Sequence, residues 1–164
     1  MQRRCASENR AAKGFTLMEL LAVLAILGIL ASAAFPLAEM ASRRQREQDL
    51  RHALRQIRDA IDQYKKAVDG GQAERKLDQT GYPPALDVLV EGVRDLRDAK
   101  GRKIYFLRRI PTDPFAADGV HGAASWGLRS YASPPDDPKP GDDVFDVYSR
   151  SQLIGLNGVP YQRW

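Results

Sequence analysis

The 164-residue chain holds one cysteine and two histidines, and no charged residue between Leu20 and Ala38. Each scarcity excludes something. Cys5 precedes the apolar run instead of following it, so it is not placed as a lipoprotein acceptor. Once a basic N-terminal leader is removed, no thiol remains, and disulfides and cysteine-based zinc sites go with it. His52 and His121 are far apart in the chain, and no H-E-x-x-H, G-x-S-x-G or Walker pattern accompanies them. Asp113-Pro114 and Asp118-Gly119 read as turn chemistry. No nucleophile–base pair can be assembled, so catalysis is not expected. The positive charge is also misplaced for nucleic acid. Residues 1–14 carry Arg3, Arg4, Arg10 and Lys13 against Glu8, which is +3 of the formal +4. The rest is nearly neutral, whereas nucleic-acid binding needs a basic face on the folded domain.

What is present is a long apolar segment. The 19 residues Leu20 to Ala38 span roughly 28 Å as helix, close to the ~30 Å hydrocarbon core of a bilayer. Three readings suit it. A general secretory signal would be cut at the small-residue site Ala31-Ser32-Ala33 and release a soluble domain beginning at Ala34. The run is long for that, and Glu19 near its start is out of place. An ordinary single-span anchor is the second. Arg43, Arg44, Arg46 and Arg51 balance the leader's basic residues, so flanking charge does not orient it. The third reading keeps the span and turns on the residues that lead into it, Lys13 to Leu21.

Gly14 lacks a Cβ, so its backbone can be extended and closely approached. The preceding basic residues hold a leader near anionic lipid on the cytoplasmic side. Glu19 in an apolar helix costs ~2.5 kcal/mol or more at mid-span, and less near an end, so it demands a role. Pro36 lacks an N–H and clashes with the carbonyl four residues back, so a kink or local unwinding is expected near Ser32–Phe35.

Lys13-Gly14-Phe15-Thr16-Leu17-Met18-Glu19-Leu20-Leu21 resembles the cleavage signature of type IV prepilins and type II secretion pseudopilins. The resemblance implies cutting after Gly14 by prepilin peptidase, N-methylation of Phe15 and retention of the apolar run. It implies that Glu19 meets the Phe15 amine of a neighbouring subunit during assembly. It also implies that the helix bends or melts near Pro36 in filaments.

Beyond the span, Leu50, Leu54, Ile57, Ile61, Tyr64 and Val68 recur at steps of 4, 3, 4, 3 and 4, one face of an amphipathic helix. Glu47–Arg51 and Asp62–Lys66 stand at i, i+4 with the acid first, the favourable order. Gly70-Gly71 is the expected stop. One helix is therefore expected from about Phe15 to Asp69, its second half packed on a head. A linker follows over 73–80. Tandem prolines at Pro83-Pro84 open a short helix faced by Leu86, Leu89 and Val90. Residues 94–103 read as a solvated loop. Strands are expected over Trp126–Tyr131 and Val144–Ser149, a hairpin joined by a Pro/Asp-rich loop. Asp136, Asp137, Asp142 and Asp143 in that loop read as solvated charge, with ion binding the alternative. Trp164 is placed to pack back.

The segment order Tyr82-Pro83, Tyr105–Phe115, Trp126…Tyr131 and Phe145-Asp146-Val147-Tyr148-Ser149 is similar to the head of the major, G-type pseudopilin. That family carries calcium in the loop after this last strand. Here the loop, residues 150–160, holds no acid, while calcium takes six to eight oxygens, usually with several carboxylates. No cofactor is expected, and this speaks against calcium.

The expected fold is α+β and pilin-like: a long transmembrane-amphipathic helix packed on a small antiparallel head. Its parts are a leader (1–14), a span (15–38), the amphipathic half of the same helix (39–70) and a head (71–164). The resemblance implies a type II secretion pseudopilus subunit in the bacterial inner membrane, crossing once, with its head in the periplasm. Its partners would be copies of itself, other pseudopilins, prepilin peptidase, an inner-membrane assembly platform and membrane lipid. A type IV pilus subunit, a released soluble binding domain and a monomeric anchored protein remain alternatives.

Overall fold

Helix α1 runs Leu17–Asp69 through both the apolar and the charged stretches. The structure, a computed structural model, describes residues 14–75 and 79–164; all but the last residue of the expected leader (1–14), with Cys5, and the middle of the expected linker lie outside the described residues. The chain divides into two compact units, Met1–Ser42 and Arg43–Trp164.

In the first unit the helix is bare. An 18-residue stretch has a mean hydropathy of 2.5, and none of it is buried. It is long and apolar enough to cross a membrane. The backbone is helical on both sides of Pro36.

In the second unit every residue of the expected stripe is buried: Leu50, Leu54, Ile57, Ile61, Tyr64 and Val68. Ala53, Ala60 and Ala67 are buried beside them, their small side chains widening the contact. The helix ends as its glycines predict. Gly71 takes φ +69°; Gln72 N–H donates to Ala67 O at 2.8 Å and Gly71 N–H to Val68 O at 2.9 Å. That is a Schellman stop, for which a residue without Cβ is preferred.

The head is laid on this stripe. Helix α2 is one turn, Val88–Glu91, with Leu86 and Leu89 buried. Strands β1 (Val93–Arg94) and β2 (Lys103–Ile104) pair antiparallel. The stretch read as a solvated loop therefore closes a two-residue ladder, which two pairs of residues are too few to signal by alternation. Strands β3 (Trp126–Arg129) and β4 (Asp146–Ser149) form the expected hairpin, with Trp126 opposite Ser149. Leu89, Leu107, Trp126, Val144, Val147 and Tyr161 join the α1 stripe in one core. The architecture is α+β, a long helix with two small antiparallel sheets.

Candidate functional site

The expected processing junction lies where the helix begins. Gly14, Phe15 and Thr16 precede α1, and Phe15 is exposed. Thr16 is the N-cap: its Oγ1 accepts from Glu19 N–H at 3.2 Å. Thr16-Leu17-Met18-Glu19 thus has the spacing of a capping box. Thr16 was not foreseen, since Glu19 reads first as a membrane acid, although the T-x-x-E spacing is present in the sequence. Among the described residues the Glu19 carboxylate has no ion pair. It sits in the first turn, where the helix dipole favours a negative charge, and is free to meet a cation from outside the chain. Around it Leu17, Met18, Leu20, Leu21, Val23 and Leu24 are all exposed. A surface so apolar is stable only in lipid or against other apolar helices.

A second constellation, not foreseen, holds the tail of the head. Glu47 is buried on α1, and its Oε1 accepts from the Tyr161 hydroxyl at 2.9 Å and from Leu156 N–H at 2.7 Å. Arg43, one turn earlier, donates to the Ile154 carbonyl and to Tyr161 Oη. Burial, and then the bond to Glu47, push the Tyr161 hydroxyl pKa up against the opposing Arg43; the Tyr161 bond raises that of Arg43.

The two expected ion pairs along α1 do not form among the described residues. Glu47 turns toward the tail, and Arg51 lies over the Trp164 ring, 4.4 Å from its centroid. The i, i+4 pairs found are Arg43–Glu47 at 3.9 Å and Lys65–Asp69 at 2.6 Å. In both the base precedes the acid, against the local preference; in the first, Glu47 is held by its tertiary contacts to the tail. Trp164 does pack back, edge-on to Tyr161 at 4.9 Å.

Further along α1, Arg58 donates to Asp146 Oδ1 at 2.7 Å, Val147 O at 3.1 Å and the Trp164 main-chain oxygen at 2.8 Å. Asp113 is more than turn chemistry. It is buried, and its carboxylate accepts from Phe115 N–H at 2.8 Å and from Ser149 Oγ at 2.6 Å. Asp143, expected to be solvated, is also buried; it accepts from Tyr131 N–H at 2.9 Å and from the Thr80 hydroxyl. Asp136, Asp137 and Asp142 are exposed.

His52 borders a groove of about 550 Å³ with Asp49, Gln56, Arg109 and Thr112, and is hydrogen-bonded to none of them. His121 is exposed in its turn. Among the described residues no three of His, Cys, Asp and Glu gather as metal ligands.

Comparison with known proteins bears on the first site. Residues 9–35 match the family described as the prokaryotic N-terminal methylation motif. The match covers the junction, Glu19 and most of the apolar run. The N-terminal segment is therefore similar to that of type IV pilins and pseudopilins, the substrates of prepilin peptidase. No curated protein and no solved structure matches the chain.

Proposed function

We propose that the chain is a structural subunit of a type II secretion pseudopilus. In this reading prepilin peptidase cuts between Gly14 and Phe15 in the inner membrane and methylates the Phe15 amine. The apolar helix is held in the bilayer with the head in the periplasm. Subunits then leave the membrane and stack, their bare helices forming the core of a fibre that drives protein export. The Glu19 carboxylate, without an ion pair among the described residues, meets the Phe15 amine of a neighbour. Each group alone is costly to hold in an apolar medium, and pairing offsets the cost only in the assembled fibre.

The observation that carries this is the methylation motif over residues 9–35, leading into a helix whose apolar surface the chain itself leaves uncovered. A mature chain without cysteine favours a pseudopilin over pilins closed by a C-terminal disulfide loop. The tail needs no metal in this proposal, since Glu47 and Arg43 supply the bonds that hold it. Pro36 is the proposed bending point of the helix on assembly.

Mass analysis of the N-terminus of membrane-extracted protein tests the proposal. A chain beginning at N-methylated Phe15 is expected. A chain beginning at Ala34, or one retaining residues 1–14, overturns it in favour of a released domain or a simple anchor.

A further inference from the structure

The tail loop presents apolar side chains to solvent on a firmly held main chain. Leu153 is 57% exposed, Ile154 55%, Leu156 42% and Val159 38%. The loop is nonetheless tied at every step. Tyr161 N–H donates to Leu153 O at 3.1 Å and Gly155 N–H to Val159 O at 2.9 Å, while Glu47 and Arg43 hold Leu156 and Ile154 from α1. Fixed apolar side chains in water mark an interaction surface.

Charge and chain distance say what covers it. Arg43, which grips the loop, stands five residues beyond Ala38, the last residue of the apolar run. Five residues reach at most about 18 Å even when fully extended, so the loop's anchor cannot lie far from the end of the span. Arg44 and Arg46 beside it are exposed, and neither has an ion pair among the described residues. Apolar side chains that enter the acyl boundary, flanked by guanidinium groups, match the surface of an anionic bilayer.

We propose that the Leu153–Val159 loop and the Arg43–Arg46 turn form a lipid-contacting foot, which seats the head on an anionic membrane before assembly. The proposal rests on the reading of Leu20–Ala38 as a membrane span. Seating would limit the tilt of the head about the end of the span, and the contact would have to be given up when the subunit leaves the bilayer.

The test uses the mature full-length chain, which has no cysteine, so that one introduced thiol takes a single dye. Chains with Ile154→Cys, Leu24→Cys or Asp118→Cys are labelled with an environment-sensitive fluorophore. They are placed at low density in phosphatidylcholine vesicles, with and without phosphatidylglycerol, containing brominated acyl chains. The expected result is quenching and a blue shift at 154, stronger with phosphatidylglycerol, quenching at 24, and neither at 118. Replacing Arg44 and Arg46 by Gln lowers quenching at 154 by about twofold or more. Leu153→Cys provides a second probe if the Ile154 variant folds poorly. Quenching at 24 without quenching at 153 or 154 overturns the foot and leaves the span intact. Shielding of residue 154 that appears only when filaments form also overturns it, and assigns the loop to a second copy. No quenching at 24 overturns the span, and the foot with it.

Discussion

Glu47 illustrates what a single side chain can settle. It joins helix α1 to residues 109 and 114 positions away. Glu47→Ala leaves the buried Tyr161 hydroxyl and the Leu156 N–H without their acceptor. A loss of about 1–3 kcal/mol is expected in urea unfolding, with faster proteolysis of the tail. Tyr161→Phe is expected to cost about 1.5–3 kcal/mol at neutral pH, because the lost bond is to a charged group. The pH dependence has a definite sign. Burial raises the Tyr161 pKa in the fold, so its contribution is complete below the unfolded value of about 10 and is lost as pH rises through the folded one. The stability gap between Tyr161→Phe and the parent should therefore close above about pH 10; a gap that persists there would refute the assignment. Glu19 belongs to the same scale. Glu19→Ala is expected to abolish filament formation, scored by electron microscopy of sheared cells, while leaving membrane insertion intact. Its capping role predicts at most a small helix effect, since the Thr16 hydroxyl, not the carboxylate, carries the observed bond.

At the scale of elements, α1 was the most legible part. The 4-3-4-3-4 spacing named six residues, and all six are buried. Periodicity reads a helix well because its partner surface is continuous. It did not find the fate of Glu47, Asp113 or Asp143, because each is decided by a partner distant in the chain. Nor did it find β1–β2, whose strands are too short to alternate. The ends of β3 and β4 were expected two residues too far out on the loop side, where the Pro/Asp-rich connection takes over. The short ladder does leave a testable mark at Gly92. Its φ is +73°, and a Cβ there would stand 2.8 Å from both the Ile104 carbonyl oxygen and the Tyr105 ring. Gly92→Ala therefore combines backbone strain with a clash against main chain, and a loss of about 1–3 kcal/mol in thermal unfolding is expected. Gly14→Ala, where a Cβ would meet nothing within 4 Å, should leave stability unchanged and slow only processing, read as accumulation of the uncut precursor.

For the whole molecule, the second unit carries its own core, assembled from α1, α2, the two sheets and the tail. Its tail is fixed by protein groups, so treatment with a calcium chelator should leave the thermal midpoint unchanged, and a drop of several degrees would reveal a metal contribution. The general plan was visible in the sequence because its two halves differ so sharply in composition. The N-terminal motif was visible because each residue in it answers a separate chemical demand. The tail clamp was not, since a loop without acids says nothing of an acid borrowed from a helix more than a hundred residues earlier.

The seam between α1 and the head also has a mechanical meaning. From Leu50 to Val68 the buried stripe runs about 27 Å along the helix axis, with the Arg58 fan of three bonds between its ends. A thrust delivered along the axis by a growing fibre would meet this seam lengthwise. Its contacts would be sheared together instead of peeled one after another. In the proposed fibre this seam would act as a strut, strongest along the helix axis.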